Sequence, residues 1–283
     1  MSVDVGLSLM LDDASRAAVL PLFEAGVVDA LEWSFDIARR RDGEPEWAKE
    51  LLDHYAAADK LWGHGVRLSP GSVDARARHD EWLARVHDEC ATRSYRGVSE
   101  HFGFMCAGDR DAGAPLPLPA GEGARRVLTR SLRRLADATG TAVGLENLAL
   151  ALGEADVWAQ ATLLRDVLAD TDGYLVLDVH NLWCQLVNFA LDRDRVLASY
   201  PLDRVRCIHV AGGTWWPIDG GVFRRDTHDD DVPDEVLALL ATVVPRCPAL
   251  ELVVLERIAG SIRDASEGDR LRRDFARLKE MLA

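Results

Sequence analysis

Several things are missing from this sequence, and each absence closes a class of function. No apolar run reaches the roughly 18 uninterrupted residues of a membrane-spanning helix. The opening "MSVDVGLSLMLDD" has neither the basic start nor the small-residue cleavage site of a signal peptide. A cytoplasmic location without membrane partners is the expectation. Cysteine is scarce: Cys90, Cys106, Cys184, Cys207 and Cys247 are odd in number, scattered and without a CxxC pair. They suggest buried free thiols, not a disulfide framework or a zinc ribbon. Positive charge is also short. A formal net charge of −14 repels phosphate backbones and anionic surfaces, which argues against nucleic acid as a partner. The local basic runs "IARRRDGE" and "SLRRLADA" read as solvated faces. No GxGxxG follows the first apolar run, and there is no internal repeat or low-complexity linker.

What is present is a strong alternation. The 283 residues, 48% of them hydrophobic, are enough for a large core. Short apolar runs recur with 3.6-periodic segments between them: "VDVGLSLML", "VDALEWSF", "LWGHGVRLS", "YRGVSEHFGF", "TAVGLENLAL", "GYLVLDVHNL", "VRCIHVAGG" and "LELVVLERI". Amphipathic segments such as "ARRVLTRSLRRLADATG" and "DEVLALLATVVPRCP" end at a Gly or before a Pro, as helices do. Eight strand–helix units in a chain of this length predict an α/β fold, a single (β/α)8 barrel over residues 1–283, with a doubly wound open sheet as the alternative. The Gly/Pro-rich stretch at 107–123 is expected to be a long loop after the fourth strand, on the active face.

Ionisable residues fall at the ends of six of these runs: His64, His101, Glu146, Asp178, His209 and Glu256. In a barrel the carboxyl ends of all strands meet at one mouth, so these residues are expected to converge there. Singly, each has a plain explanation as a core hydrogen bond, a helix cap or a rim salt bridge. Together, three imidazoles and three carboxylates in one cavity require a compensating cation. Nitrogen and oxygen donors without thiolate suit zinc, iron or manganese, and their number exceeds one tetrahedral site. In "FRRDTHDDDVPDEV", Asp226 and His228 stand two apart, so an extended segment would aim both at one face, while Asp230 or Asp231 could cap the next helix. Trp215 and Trp216 in "GGTWWPIDGG" are candidate walls of a substrate channel, and Gly212 and Gly213 suit a close backbone approach.

The ordered series "GHGVRLS", "SEHFGF", "GLENL", "LDVHNLW", "IHVAGG", "DTHDDDVPDEV" and "LER" resembles the multinuclear non-heme iron-dependent oxidative enzymes, which include those of methanobactin and thiaglutamate biosynthesis. The resemblance covers essentially the whole chain, within the wider xylose-isomerase-like barrels. It implies one iron held by His64, His101 and Glu146, with Glu146 bridging to a second held by Asp178, His209 and Glu256. It places Asn181, Asp226 and His228 around a third. It further implies O2 as co-substrate, a ribosomally made precursor peptide modified oxidatively, with cysteine the first target to consider, and a small partner protein that recognises the leader. This chain departs from the pattern in two places. It has His180-Asn181 where many members carry Asn-Asn, and Phe189 where an imidazole is expected. Two or three irons are therefore both open, the third site being weak, empty or rebuilt with His180, which strand alternation would put on the side of Asp178. Two other chemistries share the barrel. A zinc-dependent hydrolase of the endonuclease IV type fits poorly with the acidic balance, and a sugar isomerase would need a lysine near a strand end that the sequence lacks.

Overall fold

Eight parallel strands close on themselves in the computed structural model, which describes residues 3–36, 43–108 and 110–283. They are β1 (Asp4–Ser8), β2 (Ala30–Trp33), β3 (Leu61–Gly65), β4 (Val98–His101), β7 (Val143–Glu146), β8 (Tyr174–Asp178), β9 (Val205–Val210) and β12 (Leu252–Leu255), each within one of the eight apolar runs. Neighbours in the barrel follow chain order, and β12 pairs with β1 to complete the ring. The helices between them are α1 (Asp13–Glu24), α2 (Glu46–Ala57), α3 (Arg76–Thr92), α4 (Glu122–Thr139), α5 (Glu154–Thr171), α6 (Val179–Asn188), α7 (Arg193–Ser199), α8 (Asp234–Val243) and α9 (Ala265–Leu282). Alternation of strand and helix thus gives the barrel and not the open sheet. Most of the basic run "IARRRDGE" lies outside the described residues. Among those residues no helix is long and apolar enough to cross a membrane.

The strands read as continuous apolar runs because both of their faces are buried, which is the rule for parallel sheets. Leu175, Leu177, Ile208 and Val253 belong to the large cluster shared with the helices. The alternate residues Ala30, Trp62, Tyr174, Val176, Cys207, Leu252 and Val254 form a separate small cluster that fills the barrel interior. Strand periodicity then dictates what comes next on the inward face. Two residues beyond Trp62, Val176, Cys207 and Val254 stand His64, Asp178, His209 and Glu256. An apolar plug at the bottom of the barrel thereby supports a polar layer at its mouth.

Two hairpins rise from that mouth, both outside the barrel sheet. The first, β5 (Phe104–Ala107) with β6 (Arg110–Leu116), is antiparallel and occupies much of the stretch expected to be a loop. Main-chain pairing, with a register irregularity between Phe104 and Cys106, makes it a hairpin in spite of its glycines and prolines. The second, β10 (Trp215–Ile218) with β11 (Gly221–Arg224), follows β9 and pairs Trp215 with Arg224. A further departure concerns "LDVHNLW". The strand stops at Asp178, whose Oδ1 accepts from the Asn181 backbone N–H at 2.5 Å and caps α6. His180 therefore sits on a helix, and strand alternation does not govern its direction.

Candidate metal centre

Glu146 at the end of β7 is the hub of the polar layer. Its Oε2 lies 3.1 Å from His64 Nε2 and 3.3 Å from His101 Nε2, and its Oε1 lies 3.6 Å from His209 Nδ1. Glu256 Oε2 is 3.3 Å from the same His209 nitrogen. Two overlapping groups of donors result, each within 4.8 Å: His64, His101 and Glu146; and Glu146, Asp178, His209 and Glu256. Parallel register brings them level, since Asp178 pairs with His209 and His101 with Glu146 across adjacent strands.

Each imidazole is held by one nitrogen so that the other faces the carboxylates. His64 Nδ1 is 2.8 Å from Ser99 Oγ, whose own hydroxyl donates to the Gly63 carbonyl. His101 Nδ1 donates to the Gly65 carbonyl at 3.3 Å. His209 Nε2 is 2.9 Å from Glu32 Oε2. Such anchoring fixes the tautomer and leaves one lone pair of each ring for a cation. Glu32, buried at the end of β2, completes a third group with His64 and His209. Sequence reasoning passed over it, although it stands two residues beyond Ala30 on the inward face, the same signal that marks the others.

Several of these atoms have no hydrogen-bond partner despite full burial: Glu146 Oε2, Asp178 Oδ2, His209 Nδ1 and Glu256 Oε2. The electrostatics point the same way. Burial, then the nearby charges of Asp226 and Glu146, push the Asp178 carboxyl well above the carboxylate range. Burial opposes the charge on Glu146 too, but His101, His209 and His64 hold it well below its ordinary value. Burial disfavours protonation of His64, yet the Glu146 carboxylate 3.1 Å from its Nε2 outweighs burial and raises it to about 9. Without a cation the cluster can settle only by forcing protons onto some groups and off others. A divalent metal would satisfy the orphaned lone pairs at once, so the donors present fit it.

The flanking residues are arranged differently. Asp226 and His228 do meet, with His228 Nε2 2.8 Å from Asp226 Oδ1. They do so on an irregular segment in which His228 has φ of 51°, not on an extended one. Asp230 and Asp231 do not cap α8, since Pro233 takes the N-cap position and Asp231 pairs with Arg270. Asn181 Nδ2 donates to the Asn147 carbonyl at 2.9 Å and to Glu146 Oε1 at 3.3 Å. His180 Nδ1 is 2.8 Å from Asp226 Oδ1. Phe189 follows α6 and packs, partly buried, against the main core. Neither Asp226 nor His228 enters any converging group of histidine, cysteine and carboxylate donors among the described residues.

A cavity of about 300 Å³ opens beside this layer, lined by His101, Pro115, Leu148, Asn181, Arg224 and Asp226. It joins the donors to both hairpins. A larger cavity of about 570 Å³ between α3 and α4 touches none of the donors. Trp215 and Trp216 are about half exposed on β10, each stacked with an arginine, Arg224 and Arg225 respectively. All five cysteines are free, and four of them are buried.

Comparison with known proteins places these features in company. Residues 34–281 match the family described as RiPP precursor modification enzyme MbnB/TglH/ChrH. A UPF0276 protein of Anaeromyxobacter sp. is 32% identical over 187 residues, 65% of this chain and 63% of the relative. One from Caulobacter vibrioides is 31% identical over 184 residues, 65% and 64% of the two chains. These alignments span under two thirds of the length of those relatives. Among solved structures, endonuclease IV from Thermus thermophilus superposes over 98% of this chain and 99% of its own with a TM-score of 0.61 at 17% identity. A D-allulose 3-epimerase from Methylomonas sp. gives 0.61 at 17%, over 99% and 98%. An IOLI protein with a binding zinc atom gives 0.59 at 12%, over 99% of each chain. At such identities the likeness is one of fold alone, that of a closed α/β barrel.

Proposed function

This chain belongs to the family of RiPP precursor modification enzymes MbnB/TglH/ChrH, and from that premise we propose that it is an iron-dependent, O2-using enzyme that oxidises a ribosomally made precursor peptide at a cysteine. Residues 1–283 would act as a single catalytic barrel in the cytoplasm, with a small leader-recognising protein as partner. The observation that carries the reading is the convergence of buried, unpaired donor atoms on Glu146. His64, His101 and Glu146 would hold one metal, and Glu146, Asp178, His209 and Glu256 a second. Asn181, Asp226 and His228 flank them where the resemblance puts a third; there Asp226 Oδ1 lies 2.8 Å from both His180 Nδ1 and His228 Nε2, and His228 Nδ1 lies 3.6 Å from Glu256 Oε2. Bound iron would supply the electrons for reduction of O2.

The chain's own residues do the rest. Ser99, Gly65 and Glu32 orient the three imidazoles, and the Asn181 amide steadies the Glu146 carboxylate. His101, the most exposed of the strand-end imidazoles with 22% of its side chain accessible, lines the cavity, so a substrate side chain would approach from that side. Leu148 and Phe223 supply apolar walls that exclude water, with Trp215 and Trp216 on the outer hairpin available to the peptide beyond.

Metal analysis by plasma mass spectrometry on protein from iron-supplemented cells tests this reading, and about two irons per chain are expected. Predominant zinc, with no iron taken up on anaerobic reconstitution, would instead support a zinc hydrolase, since the same nitrogen and oxygen donors suit zinc.

A further inference from the structure

The guanidinium of Arg224 lies where the flanking residues meet. It is 5% exposed, at the end of β11. Its Nε and Nη2 lie 3.3 and 3.1 Å from His180 Nε2. Its Cζ lies 4.8 Å from the centre of the Trp183 ring and 5.5 Å from that of Trp215. The backbone is tied down as well, since the Arg224 N–H donates to Asn188 Oδ1 and its carbonyl accepts from Asn188 Nδ2. A guanidinium has donors only, so His180 Nε2 accepts and Nδ1 carries the hydrogen given to Asp226 Oδ1 at 2.8 Å. Both ring nitrogens of His180 are thus engaged, and Asp226 Oδ1 is shared with His228 Nε2.

We propose that Arg224 takes the place of a third metal ion, so that the centre is dinuclear and the positive charge beside His180, Asp226 and His228 is a fixed guanidinium. This rests on the reading of the barrel mouth as a metal centre. Two observations support it independently of metal identity: the saturated His180 ring, and the absence of Asp226 and His228 from the groups of three or more donors that lie within 4.8 Å of one another. A divalent cation added here would face a cation already in contact with two indole rings and unable to lose its proton. His180 consequently acts as a link between Arg224 and Asp226 and not as a ligand.

The test uses Zn2+ alone as probe, with bound metal counted after desalting for the full chain and for Arg224→Leu, Arg224→Lys and the double variant Arg224→Leu/Asp226→Asn. Circular dichroism checks the fold of each. The wild type and Arg224→Lys are expected to keep about two equivalents, Arg224→Leu to gain one, and the double variant to lose that gain. About three equivalents in the wild type, or no gain in a folded Arg224→Leu, overturns the proposal while leaving the metal centre standing. No zinc retained by the folded wild type defeats the metal-centre reading itself.

Discussion

Glu146 shows at the scale of one residue how the site is built, because three imidazoles share its two oxygens. Glu146→Gln removes the charge without changing shape and is expected to weaken metal binding by more than about 100-fold, beyond the 10–100-fold typical of groups that only orient a ligand. Glu32→Gln should fall within that lower range, because its role is to hold His209 Nε2. Competition with a chromophoric chelator separates the two, and equal losses would contradict the division of roles. His64 gives a pH signature. Burial lowers its proton affinity, but Glu146 outweighs burial and raises it to about 9 from the ordinary 6.5. In the metal-free chain the protonated ring contributes stability that is full below the unfolded value and lost as pH rises through about 9. Metal needs the neutral ring, so zinc affinity should rise with pH across that window and uptake at pH 7 should release protons. An affinity flat with pH over the same range would count against this charge balance.

Elements set where those residues can stand. Gly212 and Gly213 follow β9 where the chain passes under the segment carrying Asp226 and His228. A Cβ on Gly212 would lie 2.1 Å from the Asp231 carbonyl oxygen, and one on Gly213 2.3 Å from that of Arg225. Backbone cannot yield as a side-chain tip can, so Gly212→Ala is expected to cost at least about 1–3 kcal/mol. At about 2–4 °C per kcal/mol for a chain approaching this size, the thermal midpoint should fall by several degrees. An unchanged midpoint would show that the segment is free to move. The same elements explain what was legible in the sequence. Doubly buried strands leave apolar runs, and a period of two marks their inward positions, so His64, His101, Glu146, Asp178, His209 and Glu256 could be found as a set. The onset of α6 could not, since "LDVHNLW" carries no glycine or proline break and its cap, Asp178, was already counted as a strand-end ligand. Glu32 was obscured by its run, in which Trp33 and Ser34 continue the burial beyond it. Arg224 belongs to a hairpin, and only the cross-strand register that pairs it with Trp215 reveals its position.

At the scale of the whole molecule, the barrel divides its labour along its axis. An apolar interior plug holds the strand ends in register, and the polar layer above it stores several buried carboxylates that little but a cation can reconcile. A net charge of −14 disfavours the approach of phosphate polymers at long range. Anomalous diffraction at the iron absorption edge, on crystals of iron-loaded protein, would locate the iron proposed for this layer. One peak is expected among His64, His101 and Glu146, a second among Glu146, Asp178, His209 and Glu256, and none beside Arg224. Iron peaks elsewhere, or no density at these positions in crystals that contain iron, would contradict the proposal.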